Sequence, residues 1–230
     1  MRTIGLLGGM SWESTQTYYR LINQAVRDRL GGLHSAELVL YSVDFEPIEQ
    51  LQAKGDWDAA GRVLADAARG VEAAGADFLV LCTNTMHKVA PAIERAIGIP
   101  LLHIADATAE AVKAAGVKTV GLLGTRFTMS EDFYRGRLED RHGLTVVIPS
   151  EAERELVDRV IFHELCLGEI LDDSRARYVD VIQHLVNEGA EAVILGCTEI
   201  SLLVGPSDTS VPLFDTTEIH AEKAVERALE

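Results

Sequence analysis

Cys197 and Thr83 are the residues of this sequence whose types and placement could move a proton at carbon. Cys197 follows an apolar run, Ala192–Leu195, and is flanked by Gly196 and Thr198. A thiol titrates near pH ~8.5 in the absence of neighbours. Backbone amides at the start of a following helix are expected to lower that value and give a nucleophile or a base. Thr83 enters through an internal repeat. Gly75-Ala76-Asp77-Phe78-Leu79-Val80-Leu81-Cys82-Thr83-Asn84-Thr85 reappears half a chain later as Gly189-Ala190-Glu191-Ala192-Val193-Ile194-Leu195-Gly196-Cys197-Thr198-Glu199. Ile4–Gly8 echoes Val120–Gly124, and Ile99-Pro100-Leu101-Leu102 echoes Val211-Pro212-Leu213-Phe214. The pairing sets Thr83 against Cys197 and Cys82 against Gly196. The partner expected for the thiol is therefore a hydroxyl. Cys82 sits one place too early, and strand alternation turns it to the opposite face.

Other groups fall where a ligand could be held. Thr83-Asn84-Thr85 reads as a strand-to-helix turn whose Thr and Asn cap a helix near Met86-His87. The same amides and hydroxyls can take a carboxylate, since helix starts attract anions, and the two roles are compatible. Thr198 is expected to serve likewise beside Cys197. Gly8-Gly9-Met10-Ser11 lets backbone approach a small ligand closely, and it lacks both the dinucleotide GxGxxG and the Walker pattern. Gly124-Thr125 is its counterpart in the second half. His87, His103, His163 and His184 have no i,i+4 histidine partner and no triad order, so they read as capping, core or surface residues. Cys82, Cys166 and Cys197 form no CxxC pair and no metal-ligand spacing, so no metal is expected.

A scaffold must bring these groups to one edge. Short β-rich apolar runs at Thr3–Leu7, Glu37–Val43, Phe78–Leu81, Thr119–Leu123, Thr145–Ile148 and Ala192–Leu195 alternate with segments of helical period. Those helices are expected at Ser14–Leu30, Trp57–Ala74, Lys88–Ile97, Ala105–Ala115, Glu131–Arg141, Glu151–Glu164, Ser174–Glu188 and Thr217–Leu229, with short strand ends at Leu101–Leu102 and Leu213–Phe214. Continuous apolar strands separated by helices predict parallel sheets covered on both faces. The fold expected is α/β, with two pseudo-symmetric doubly wound lobes whose sheets face a shared cleft. The lobes are 1–97 with 211–230, and 98–210. Ligands of such sheets gather beyond the carboxyl ends of the strands, where the loops at Gly8, Cys82, Gly124 and Gly196 all fall. Ser14 is expected to cap the first long helix. Gly75, Gly116 and Gly189 are expected to end helices in a left-handed backbone.

Composition narrows the function classes. The 230 residues are 47% hydrophobic and 25% charged, as in ordinary globular chains. A net charge of −15 with no basic run argues against nucleic acid as a partner. No stretch approaches the ~18 apolar residues of a membrane helix. The N-terminal run Thr3–Gly8 is too short and glycine-broken for a signal-peptide core, and with an odd number of thiols it points to a reducing cytoplasm.

Gly8 to Thr15 (Gly-Gly-Met-Ser-Trp-Glu-Ser-Thr), Leu81–His87 and Gly196-Cys197-Thr198-Glu199 resemble the aspartate/glutamate racemase family, which also includes glutamate and hydantoin racemases. The resemblance covers essentially the whole chain. It implies racemisation without a cofactor, by two acid/base residues on opposite faces of the α-carbon, in a homodimer. Most members carry cysteine in both places. Here Thr83 takes the first and Cys197 the second, as the repeat also indicates. The resemblance further implies that Asn84, Thr85 and Thr198 hold the α-carboxylate and amino group, with the Met10 backbone, Gln52 and Thr125 as pocket contacts. Cys166 falls where related aspartate racemases tend to carry a lysine for the side-chain carboxylate. A hydroxyl is a poor base at neutral pH, so the expected reaction is biased toward L-aspartate or L-glutamate. Two other readings stay open: a single-cysteine decarboxylase or isomerase on the same fold, and a non-catalytic amino-acid binder.

Overall fold

A computed structural model describes residues 1–230. The chain divides into two units, Met1–Ile104 with His220–Glu230, and Ala105–Ile219. The first contains β1 (Ile4–Gly8), α1 (Trp12–Leu30), β2 (Leu38–Ser42), α2 (Phe45–Lys54), α3 (Trp57–Ala73), β3 (Phe78–Leu81), a 3₁₀ turn over Thr85–Val89, α4 (Ala90–Ala96) and β4 (Leu101–Leu102). The second opens with α5 (Ile104–Ala114) and continues through β5 (Thr119–Gly124), α6 (Arg126–Ser130), a single π turn over Arg137–Arg141 and β6 (Thr145–Val147). Then come α7 (Glu151–His163), a 3₁₀ turn over Leu165–Leu167, α8 (Asp172–Asn187), β7 (Ala192–Gly196), α9 (Ile200–Leu203) and β8 (Leu213–Asp215). The last helix, α10 (Thr216–Leu229), returns the chain to the first unit.

Each unit holds one four-stranded, all-parallel sheet, in the orders β2-β1-β3-β4 and β6-β5-β7-β8. The two orders are the same permutation. β1, β3 and β7 are buried along their full length, which is why they read as unbroken apolar runs rather than alternating ones. The repeat extends to single side chains. Asp77 accepts the Thr3 amide through Oδ2 at 2.6 Å, fastening the start of β1 to that of β3. Its counterpart Glu191 accepts the Lys118 and Thr119 amides through Oε2, both at 2.8 Å, at the start of β5. Gly75 and Gly189 adopt φ of 97° and 103°, the left-handed helix ends expected of them.

Several boundaries move. β4 pairs with β3 and β8 pairs with β7, so the units part at 104/105 and 219/220 rather than at 97/98 and 210/211. Hydrogen-bonded strands cannot belong to different sheets. Helix α1 starts earlier than expected, because Ser11 and not Ser14 is its N-cap. The Ser11 hydroxyl accepts the Ser14 amide at 3.3 Å. The stretch after Asp44, which carries no repeat signal, forms α2 with Ile48 and Gln52 buried on one side. The helix expected over Lys88–Ile97 starts as the 3₁₀ turn and becomes α4 with Pro91 in its first turn. Of the helix expected over Glu131–Arg141 only the closing π turn at Arg137–Arg141 is an element, and α6 ends just before that range, at Ser130.

Three apolar clusters fill the interior. One packs α3 and the 3₁₀ turn at Thr85–Val89 on one face of the first sheet. Another packs α1 and α10 on its opposite face. The third packs α7, α8 and α9 with β5 and β7 in the second unit. No helix is long and apolar enough to cross a membrane.

Candidate functional site

In the first unit the residues of interest extend from the carboxyl ends of β1 and β3. Gly9 turns the chain after β1 with φ of 94°, and a Cβ there would sit 2.2 Å from the Val43 carbonyl oxygen. Only glycine fits this crossing. The Gly9 amide donates to Thr15 Oγ1 at 2.8 Å, and that hydroxyl donates on to the Ser11 carbonyl at 2.8 Å. The turn is thereby fixed to the start of α1, with Met10 buried at its tip. Met10 shares an apolar cluster with Ile48 of α2 and with Met86. Gln52, also on α2, is buried and donates through Nε2 to Met86 Sδ at 2.9 Å. The structure thus brings Met10 and Gln52 to the loop that carries Thr83, Asn84 and Thr85, all three of them buried. The Asn84 side chain does not cap the 3₁₀ turn, contrary to the capping role expected of it.

Cys82 has a different environment. It follows Phe78 and Val80 on the face of β3 covered by α1 and α10, fully buried, with Val80 O as its acceptor at 3.8 Å. Burial pushes its thiol far above the ordinary range. It is an inert core residue, as strand alternation implied.

In the second unit Gly124 and Gly196 are register partners at the ends of β5 and β7. Thr125 and Cys197 each follow by one residue, so they emerge side by side. A Cβ on Gly196 would lie 2.7 Å from the Leu123 carbonyl oxygen, which explains why the position paired with Cys82 is glycine here. Thr125 caps α6, its Oγ1 accepting the Thr128 amide at 3.3 Å. Cys197 is buried at 9% exposure, and Sγ donates to Glu199 Oε2 at 3.0 Å. Thr198 Oγ1 donates to the same oxygen at 2.7 Å. Glu199 itself is 3% exposed.

This arrangement corrects the expectation of a lowered thiol pKa. Burial first, then the Glu199 charge, push Cys197 well above its usual range. The helix that follows, α9, is one turn long, too short for a dipole that would offset a buried carboxylate. Cys197 therefore rests as a protonated thiol hydrogen-bonded to a proton acceptor. Glu199 was visible in the sequence only as the last residue of a motif. A carboxylate two residues after a candidate thiol was the available signal. Cys166 lies partly buried against the cluster that contains Cys197. No three histidine, cysteine or carboxylate side chains group as a metal site.

The histidines separate into roles. His184 is an exposed partner of Glu153. His87, His103 and His220 are buried together in the first unit, with the His87 and His103 ring centroids 4.4 Å apart. His220 was not singled out from the sequence.

The Asp/Glu/Hydantoin racemase family matches residues 7–224. A broad-specificity amino-acid racemase of Bacillus subtilis is 24% identical, with 96% of each chain covered. Among solved structures, a candidate Asp/Glu racemase from Yersinia pestis is 58% identical with a TM-score of 0.93, and all of both chains is covered. An aspartate racemase homologue from Pyrococcus horikoshii is 38% identical with a TM-score of 0.86, again over all of both chains.

Proposed function

Because this chain belongs to the Asp/Glu/Hydantoin racemase family, we propose that it interconverts L- and D-aspartate or glutamate without a cofactor, by two-base transfer of the α-proton. The observation that carries this reading is the buried Cys197–Glu199 pair at the end of β7. A thiol is useful as a carbon base only once its own proton has somewhere to go. Glu199 is that acceptor. The cationic amino group of an arriving substrate favours thiolate beside it, and the proton passes from Sγ to Glu199 Oε2. The thiolate then takes the α-proton from one face, while Thr83, or a water it orients, returns a proton to the other.

The roles are unequal. A threonine hydroxyl is far weaker than a thiolate as a base, so abstraction from the L enantiomer, served by Cys197, runs faster than the reverse. Asn84, Thr85 and Thr198 hold the α-carboxylate and amino group, with Met10, Gln52 and Thr125 completing the pocket. The working form in this reading is a cytoplasmic homodimer.

Solvent deuterium exchange at Cα, followed by chiral chromatography of the products, tests the proposal. Cys197→Ser is expected to lower α-proton exchange on L-aspartate by ~10²–10⁴-fold, while Cys82→Ser leaves it within ~3-fold. Equal losses would remove Cys197 from its role. Carbon dioxide release from a malonate-type substrate, or thermal stabilisation by L-aspartate with no exchange, would replace the racemase reading with a decarboxylase or a binder.

A further inference from the structure

Thr83 has nothing like Glu199 beside it. Its backbone is held instead by an imidazole. His87 Nδ1 lies 2.7 Å from the Thr83 carbonyl oxygen, and His87 Nε2 receives the Ile104 amide at 3.3 Å. The amide of Ile104 can only donate, so Nε2 carries no proton. The proton is then on Nδ1, which donates to Thr83. Each contact resolves a local need. Thr83 lies beyond the end of β3, where no neighbouring strand takes its carbonyl. Ile104 is the first residue of α5, and its amide is among those a helix cannot satisfy internally.

The ring is itself fixed from behind. His103 stacks against it at a 58° tilt, and the His220 ring centroid is 6.1 Å away. His220 accepts from the Tyr18 hydroxyl at Nδ1 and donates from Nε2 to the Leu102 carbonyl, both at 2.9 Å. Helices α1 and α10 thereby anchor the end of β4, two residues before Ile104, and Ile104 in turn anchors His87.

We propose that His87 is the positioning residue of the Thr83 site: its Nδ1–H fixes the Thr83 carbonyl and so sets where the Thr83 hydroxyl points during reprotonation. This rests on the assignment of Thr83 as an acid/base residue. A hydroxyl bonded directly to Cβ takes its direction from the backbone that carries it and the single torsion about Cα–Cβ. Freeing the carbonyl at 83 leaves substrate contacts in place but spreads the hydroxyl over several orientations, a loss expected in kcat and not in KM.

Two substitutions separate this from a merely structural role. The Nδ2 of asparagine reaches the place of histidine Nδ1, and the Oε1 of glutamine reaches the place of Nε2. His87→Asn keeps the bond to Thr83 and loses the one to Ile104, whereas His87→Gln does the reverse. Each forfeits one buried hydrogen bond, so comparable losses of Tm are expected. The expected result is kcat within ~3-fold of the parent for His87→Asn and lowered ~10-fold or more for His87→Gln, with KM little changed in both. Equal losses, or a larger loss for asparagine, overturn the positioning role while leaving the racemase reading intact. A parent protein without α-proton exchange defeats the racemase reading, and this inference with it. The imidazole ¹⁵N shifts of the intact parent protein give an independent check, since an Nε2-protonated His87 would overturn the proposal without any variant.

Discussion

The ends of β3 and β7 occupy the same place in two sheets of the same strand order, yet their chemistry differs. At β7 a buried thiol and a hydroxyl both donate to one carboxylate oxygen, that of Glu199. At β3 the equivalent residue is a hydroxyl whose carbonyl is held by a neutral imidazole. In the proposed mechanism the first arrangement stores and releases a proton. The second holds a group in place. A duplicated scaffold supplies two loops of similar geometry without dictating similar reactivity. In the mechanism proposed here, reactivity is decided two to four residues further on, at Glu199 in one half and His87 in the other.

The largest effect expected from breaking this contrast comes at Glu199. Glu199→Gln keeps an oxygen that can accept from Cys197 and Thr198, so geometry and folding are preserved, but it cannot take up the thiol proton. Exchange from L-aspartate is expected to fall by ~10²-fold in kcat with KM within ~3-fold. Initial rates of α-deuterium incorporation give the answer, and a loss below ~3-fold would show that Cys197 sheds its proton elsewhere.

Thr83→Cys sharpens the comparison from the other side by giving both strand ends the same nucleophile. A thiol is several pH units more acidic than an aliphatic hydroxyl, so the variant has a second competent base. Exchange from the D enantiomer is expected to rise ~10-fold or more, with a smaller change for the L enantiomer. Parallel assays on the two enantiomers read this directly. An unchanged L-to-D ratio would remove Thr83 from the acid/base pair.

The strand runs were legible in the sequence because parallel strands buried on both faces are continuous in apolar residues, as Phe78–Leu81 and Ala192–Gly196 show. The repeat added the acids at Asp77 and Glu191 and the glycines that precede them. Helix α2 was not legible, since only Ile48 and Gln52 are buried in it and two positions make no period. The π turn was missed because the charges between Glu131 and Arg141 mimic a solvated helix face, and α6 because five residues are too few to show a helical period. Within the site, residue types placed Cys197 and Thr83 at strand ends. The direction of the Cys197 shift was misread, because it depends on which way the Glu199 side chain folds back. The histidine group could not be foreseen, as its members come from the 3₁₀ turn, the end of β4 and α10, far apart in sequence.

The mildest contrast concerns acid. The first unit buries His220 neutral, and burial lowers its pKa from 6.5 to about 4. Its neighbours are the Tyr18 hydroxyl, the Leu102 carbonyl and the His87 ring, with no carboxylate among these contacts to stabilise a cation. Unfolding exposes an imidazole that binds a proton near pH ~6.5. Between that pH and about 4 the unfolded chain therefore holds the extra proton. Stability contributed by His220 is complete above the unfolded value, falls as pH drops through this window, and is fully lost below the folded value. The loss amounts to roughly 3 kcal/mol at most. His220→Gln retains a donor for Leu102 and removes the titration. Its urea midpoint is expected to sit below the parent's at pH 7 and to change less on acidification to pH ~4.5. Parallel midpoints for the two proteins across that range would mean that another group sets the acid sensitivity of the first unit.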